Sequence, residues 1–94
     1  MANQFALEIV TPENIFYNDQ VEMVIMRTTK GDRAISKDHI PFVAGLVEGQ
    51  LRIKKDGKFK EGKISGGFIT VTKEKTTILT EAASWDGEVS KETI

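Results

Sequence analysis

The sequence predicts an all-β antiparallel sandwich or barrel. Three observations carry that reading. Apolar residues alternate with polar ones at a period of two, the alternating runs are rich in β-branched side chains, and turn signals interrupt them at short intervals. Eight such signals in about 75 residues imply roughly nine or ten short strands, a cadence foreign to alternating strands and helices.

Each element follows from its own residues. Phe5, Leu7 and Ile9 share one face of the first strand, and Ala6, Glu8 and Val10 share the other. Pro12-Glu13-Asn14 ends it, and Asn18-Asp19 reads as the next turn. Val21, Met23 and Ile25 then line one face of a strand, with Glu22, Val24 and Met26 on the opposite face. Further turns are expected at Lys30-Gly31-Asp32, Lys37-Asp38 and Glu48-Gly49. Val43 to Val47 fits one helical turn on periodicity alone, but its shortness and the Glu48-Gly49 turn favour a strand. Leu51 and Ile53 alternate with Arg52 and Lys54. Asp56-Gly57 is the strongest turn signal, supplying the positive φ angles of a type I′ hairpin between residues 51–55 and 58–65. Ser65-Gly66-Gly67-Phe68 precedes a strand in which Ile69 and Val71 alternate with Phe68, Thr70 and Thr72. After Lys73-Glu74-Lys75, residues 76–80 are β-branched except for Leu79.

Composition narrows the function classes. The chain has 94 residues, with 13 Lys+Arg against 14 Asp+Glu, a formal charge of −1 that disfavours nucleic-acid binding by bulk charge. It has no Cys and one His, which excludes disulfides, thiolate metal sites and a zinc cluster of the usual ligand types. No apolar run approaches the ~20 residues of a membrane span, and residues 1–5 do not read as a signal peptide. The reading is a cytosolic, soluble domain. The stretch from Glu81 to Ile94 differs from the rest, being acidic and poor in aliphatic residues, and reads as a linker or the first turn of a helix.

Few residues offer chemistry. His39 is the single candidate for a proton shuttle near neutral pH, and neither Ser36 nor Ser65 is placed beside it by the pattern. A loop histidine that fixes backbone geometry or meets a partner outweighs a catalytic one. Ser65-Gly66-Gly67-Phe68 lacks the Gly-Lys-Ser/Thr and the helix of a phosphate loop, so a tight turn or bulge is favoured. Arg52, Lys54, Lys55, Lys58, Lys60 and Lys63 make a basic hairpin beside Phe59, tempered by Asp56 and Glu61. That is faintly the footprint of a single-strand nucleic-acid binder, and more simply a solvated sheet face whose lysines guard against edge pairing. Glu8, Glu13, Asp19 and Glu22 are scattered and form no carboxylate pair. The residues alone end at a small all-β interaction module without catalytic machinery.

Three segments carry a resemblance further. Residues 5–17 read FALEIVTPENIFY, residues 31–42 read GDRAISKDHIPF, and residues 51–83 read LRIKKDGKFKEGKISGGFITVTKEKTTILTEAA. In order and spacing these resemble the N-terminal β-sandwich domain of the epsilon subunit of the F-type ATP synthase. The family pattern opens with L-x-I-V-T-P and follows with a G-[DE]-x-G-[IV]-x-P-x-H-x-P loop. L-R-I, S-G-G-F-x-x-V and I-L-A-x-x-A come after it. The resemblance covers residues from about 4 to 84. Ala34 stands at the family's second loop glycine, Lys37 at its loop proline, and Asp38 at the Gly or Asn before the histidine. These departures change the loop's backbone freedom.

The resemblance implies two five-stranded antiparallel sheets packed face to face over residues 1–84. Residues 85–94 are then an acidic tail or the start of the helical pair into which the family usually continues. It implies a non-catalytic rotor part of the central stalk, which binds the gamma subunit and contacts the c-ring to couple ion transport to ATP synthesis. No cofactor, metal, nucleic acid or direct membrane insertion belongs to that role, which is peripheral on the cytoplasmic face of the bacterial plasma membrane. By position, Gly31, Asp32 and Arg33 match the loop that faces the c-ring. His39, Ile40, Pro41 and Phe42 match a stretch that packs on gamma, and Thr80, Glu81, Ala82 and Ala83 match a second gamma contact. Purely structural roles stand beside these, with Phe42 in the core and Asp32 in the turn. The family's helical pair is the part that hinders ATP hydrolysis and in some members binds ATP, so these 94 residues are expected to do neither. The competing reading is a small β-sandwich or barrel binding module for nucleic acid or carbohydrate. A hydrolase centred on His39 ranks below both.

Overall fold

The structure, a computed structural model, describes residues 4–37 and 40–86. Ten strands follow one another along the chain. They are β1 (Phe5–Val10), β2 (Ile15–Val21), β3 (Met23–Thr28), β4 (Gly31–Ser36), β5 (Phe42–Leu46), β6 (Gly49–Lys55), β7 (Lys58–Ile64), β8 (Gly67–Val71), β9 (Lys75–Leu79) and β10 (Ala83–Trp85). Apart from Asn18-Asp19, the expected turns that fall on described residues lie at strand junctions, with Asp38 outside those residues, and residues 42–46 form a strand, as their length and flanks predict. At the strongest turn, Asp56 and Gly57 have φ of 54° and 76°, the two positive values a type I′ hairpin needs.

Alternation sends one face of every long strand inward. Leu7 and Ile9 of β1, Val24 and Met26 of β3, Leu51 and Ile53 of β6, Ile69 and Val71 of β8 and Ile78 of β9 are buried together in one cluster. Ile35, Leu46 and Ile64 join them from β4, β5 and β7. Burying each Leu or Ile contributes about 1.5–3 kcal/mol before the cost of ordering the chain.

The ladders fall into two groups that meet at a corner. One runs β5-β8-β9-β1-β2, and the other joins β10, β7, β6, β3 and β4. Separate five-stranded sheets were expected, but the hydrogen bonding continues from one group to the other. β3 pairs with β5 at Thr28↔Leu46, and two backbone bonds flank that pair, Thr29 N–H to Gly45 O at 3.1 Å and Val47 N–H to Arg27 O at 3.1 Å. The result is a ten-stranded sheet, bent into a nearly closed barrel. Nor is it antiparallel throughout, because β1 runs parallel to β9 from Ala6↔Lys75 to Val10↔Leu79. Chain geometry allows this: the two strands are far apart in sequence, and no tight turn has to join them.

The far side of the barrel closes through side chains. Trp85 of β10 stacks on Phe16 with centroids 4.7 Å apart and meets Tyr17 edge-on at 5.5 Å. Both rings come from β2, the other end of the strand path. A register shift between Ile9↔Tyr17 and Val10↔Ile15 leaves Phe16 as the extra residue of a bulge, which turns it toward Trp85.

Three local expectations are corrected. Residues 83–85, read as part of a linker or helix start, form β10, because they pair antiparallel with β7 and Trp85 packs against the core. Asn18-Asp19 is not a turn but the middle of β2, paired with Glu8 and Leu7, because the ladder to β1 outweighs the turn preference of those residues. Residues 21–26 are not one strand either. A bend at Glu22 separates β2 from β3, so Val21 is buried at the end of one strand and Val24 and Met26 face inward from the next.

Gly67 shows how tightly the corners are drawn. Its φ is +128°, and a Cβ there would lie 1.9 Å from the carbonyl oxygen of Leu79. Gly67→Ala is therefore expected to destabilise the fold by about 2 kcal/mol or more in urea unfolding, through backbone strain that no rotamer relieves. Gly57→Asn, at φ +76° with nothing within 4 Å of its Cβ position, is expected to stay within about 1 kcal/mol of the parent.

Candidate functional site

The outer face of the β5-β8-β9-β1-β2 group carries a row of apolar side chains. Register aligns Gly45 with Phe68, Phe68 with Leu79, Leu79 with Val10, and Val10 with Ile15. One apolar line thus crosses β8, β9, β1 and β2, and Gly45, which has no side chain, continues its register onto β5. Phe68, Leu79 and Ile15 are 61%, 49% and 55% exposed. The next row is polar: Thr70, Thr77, Glu8 and Asn18 follow one another in register, and Glu8 pairs with Lys75 at 2.8 Å. A solvated sheet face is ordinarily polar, and contiguous exposed apolar rows of this kind are the usual mark of an interaction surface. The sequence pattern set Phe68 on the face opposite Ile69 and Val71, and apolar residues at such positions were the signal available for the row.

Residues singled out from the sequence flank this row. Val10, Thr11, Pro12, Phe68, Leu79, Thr80 and Glu81 border a shallow cleft of about 350 Å³. Within the strip from Thr80 to Ala83, Glu81 and Ala82 are exposed, whereas Thr80 is buried and Ala83 packs against the core. Ser65 holds this turn: its N–H donates to Ala82 O at 3.0 Å, and its Oγ accepts from Ala82 N–H at 3.0 Å. At the other end, Gly45 also lines a groove of about 440 Å³ with Thr28, Thr29, Lys30, Arg33, Ile40, Phe42, Val43 and Ala44. The groove brings together parts of the two loop segments that the sequence reading assigned to different partners. Phe42 is half-buried and packs against the core, while Ile40 and Val43 are 74% and 68% exposed and form the outward apolar surface. Pro41 is exposed as well. His39, with Asp38, lies outside the described residues.

The hairpin tip between β3 and β4 presents Gly31, Asp32 and Arg33 to solvent. Asp32 is paired within the hairpin, accepting from Arg27 Nε at 3.1 Å. The Arg33 guanidinium lies over the Phe42 ring, 5.6 Å from its centroid. This tip and the Asp56-Gly57 turn lie at opposite ends of the barrel, because β3 pairs antiparallel with β6 from Met23↔Lys54 to Ile25↔Arg52.

The basic hairpin of β6 and β7 is engaged locally. Arg52 lies 4.5 Å over the Phe59 ring, Lys60 lies 4.2 Å over Trp85, and Lys55 pairs with Asp19 across the barrel mouth. The Lys55 ammonium, with a 2.7 Å hydrogen bond from Gln20 N–H, holds the Asp19 carboxyl below its ordinary range, and Asp19 in turn raises Lys55. Burial, then the Asp19 charge, raises the Tyr17 hydroxyl. Among the described residues no group of three or more His, Cys, Asp or Glu side chains is placed to hold a metal ion. No helix there is long and apolar enough to cross a membrane.

Asp19 binds its proton more weakly in the folded chain. Its stabilisation is therefore complete above the ordinary value of 3.8 and is lost as pH falls below it. Lys55 is the reverse: its share is complete below 10.5 and is lost as pH rises through the higher folded value. Asp19→Asn is expected to flatten the acid limb of the stability curve, followed by urea unfolding from about pH 5 to about pH 2.5. Stability at neutral pH is expected to fall by the same amount that the acid limb loses, a small one because both groups are solvent-screened.

A sequence profile described as "ATP synthase, Delta/Epsilon chain, beta-sandwich domain" matches residues 4–86. The chain is 51% identical over 89 residues to the ATP synthase epsilon chain of Alkaliphilus oremlandii, covering 95% of this chain and 66% of that protein. It is 41% identical over 101 residues to the sodium ion specific ATP synthase epsilon chain of Propionigenium modestum, covering 96% of this chain and 74% of that one. The chain thus spans just under two thirds of the length of the Alkaliphilus relative. Among solved structures, a chain of the mitochondrial ATP synthase of Euglena gracilis, from an assembly of OSCP, F1 and c-ring, superposes with a TM-score of 0.83 at 24% identity. That match covers 99% of this chain and 62% of that one. A chain of the central stalk and c-ring of the Tetrahymena thermophila mitochondrial enzyme gives 0.74 at 16% identity, over 85% of this chain and 65% of that one. At those identities the two superpositions establish the fold.

Proposed function

Because the chain belongs to the family of ATP synthase delta/epsilon chain β-sandwich domains, we propose that it serves as a central-stalk rotor part, gripping gamma with one sheet face and meeting the c-ring with one hairpin tip. The observation that carries this is the apolar row Phe68-Leu79-Val10-Ile15, which crosses four strands at one register level with Phe68, Leu79 and Ile15 exposed. A long partner laid across the strands would cover all of it at once. The groove beside Ile40, Phe42 and Val43 shares Gly45 with that row, so gamma is assigned one surface running from groove to cleft. Glu81 and Ala82 lie at its far margin, and Thr80 and Ala83 hold that margin in shape.

The hairpin tip at Gly31, Asp32 and Arg33 is assigned to the c-ring. With Asp32 already held by Arg27, the tip offers a balanced polar surface, where each charge pair with the ring contributes only about 0–1 kcal/mol. Such contacts position and do not anchor, so the apolar face carries most of the binding. The part has no chemistry to perform. It transmits rotation between ion flow and ATP synthesis, takes no cofactor and no nucleic acid, and is peripheral on the cytoplasmic face of the bacterial plasma membrane without entering it.

Truncation or charge on the row tests the assignment. Phe68→Glu and Leu79→Glu are each expected to weaken gamma binding by about 2 kcal/mol or more in calorimetry, as loss of an interface anchor does. Both side chains are exposed in the free chain, so the unfolding midpoint is expected to hold. Phe59→Glu, 42% exposed on the opposite half of the barrel, is the control expected to leave gamma binding unchanged. Equal binding by all four proteins would remove the row from the interface.

A further inference from the structure

We infer that Arg33 is a positioning residue that fixes the angle between the two halves of the barrel, holding the strand beside the gamma face to the hairpin that meets the ring. The inference rests on the proposed function and adds to it a route from one contact to the other.

The corner between the halves is narrow. Among the described residues, β3 and β5 share the register pair Thr28↔Leu46, backed by the backbone bonds at Thr29 and Val47. A seam that narrow resists separation but is by itself a poor brake on local twisting at the corner, where the Trp85 contacts of the far seam do not reach. Arg33 and Phe42 sit beside that line on opposite halves. Arg33 pairs in register with Met26, whose side chain is buried, so Arg33 leaves β4 on the core-facing side along with Ile35. At this end of the strand the core runs out. A long cationic side chain in such a place lays its stem along the apolar rim and carries its head outward. Its guanidinium carbon comes to rest 5.6 Å from the centroid of the Phe42 ring. Phe42 is anchored to the other half through its register pair with Val71 and its packing against the core.

The neighbouring charge does not compete for this contact. Asp32 lies on the opposite face of β4 and is engaged by Arg27 at 3.1 Å. Both Arg33 and Phe42 line the groove that also holds Thr28, Thr29 and Gly45, so the contact and the backbone seam form two attachments around one cavity. With the Trp85 ring contacts closing the opposite seam and one core shared by both halves, this second attachment at the corner sets the local angle there. A partner that needs Phe42, Val43 and Gly45 in fixed relation to the row is bound better when the angle is set in advance.

The test separates a positioning role from direct contact. In the free wild-type chain, nuclear magnetic resonance is expected to show the Arg33 side-chain protons moved upfield by the Phe42 ring current, and Phe42→Leu is expected to abolish that shift. In titrations with gamma, Arg33→Met is expected to weaken binding two- to fivefold with the unfolding midpoint unchanged, the size of an exposed cation–aromatic contact. Arg33→Lys is expected to restore most of the loss. In a Phe42→Leu background the same Arg33→Met change is expected to have no further effect, because the two residues act as one unit. An equal loss in both backgrounds would make Arg33 a direct gamma contact and overturn the inference, as would an absent ring-current shift. A wild-type chain that shows the shift but does not bind gamma would instead overturn the proposed function.

Discussion

Ten strands share one interior while their hydrogen bonds nearly part company in two places, and that constraint shapes everything else in the molecule. At the corner, Thr28↔Leu46 and its flanking backbone bonds carry the sheet from one half to the other. At the opposite seam, Trp85 meets Phe16 and Tyr17 ring to ring. Burial of apolar side chains on the inner faces supplies most of the attraction that holds the halves together, since it needs area and no particular hydrogen-bond geometry. Regular backbone pairing within each half leaves rigid outer faces, which suits the rotor role proposed above. A loop-borne contact absorbs motion, whereas a face built from paired strands moves as one body.

The outer faces divide the labour by chemistry. The five-stranded face beginning at β5 bears the apolar line and is poor in charge along it. The other half bears Arg52, Lys54, Phe59 and Glu61, a mixed charged surface engaged in its own cation–aromatic and ionic contacts. Apolar area that is removed from water only on association drives binding. Charge that is satisfied in the free chain keeps the remaining surface soluble and keeps edges apart. The narrow groove at the corner is where the two kinds of surface meet, and it is there that Arg33 from one half covers Phe42 from the other.

Much of this was legible from residue pattern. Alternation in Leu7/Ile9, Leu51/Ile53 and Ile69/Val71 marked inward faces, and Asp56-Gly57 marked its hairpin, because both signals arise within a few residues of chain. What was misread depends on partners distant in sequence. Asn18-Asp19 has the composition of a turn, yet the ladder from β1 claims it, and Lys55, thirty-six residues further on, takes up the Asp19 charge. The parallel pairing of β1 with β9 and the continuity of the sheet at β3 and β5 are likewise set by long-range register. The loop segments at Arg33 and Phe42 were assigned to different partners on resemblance. Their adjacency follows from the corner, which leaves no mark in local sequence. The apolar row was present as Val10, Ile15, Phe68 and Leu79, but only the pairing registers reveal that these four residues form a line.

The central claim is that gamma lies across that line. Hydroxyl-radical footprinting of the chain, alone and with gamma, addresses it through the side chains themselves. The account predicts that oxidation of Phe68, Leu79 and Ile15 falls sharply in the complex, while Phe59 on the other half is oxidised at the same rate with or without gamma. Protection of Phe59 with Phe68, Leu79 and Ile15 left as reactive as in the free chain would place gamma on the opposite face and contradict the account.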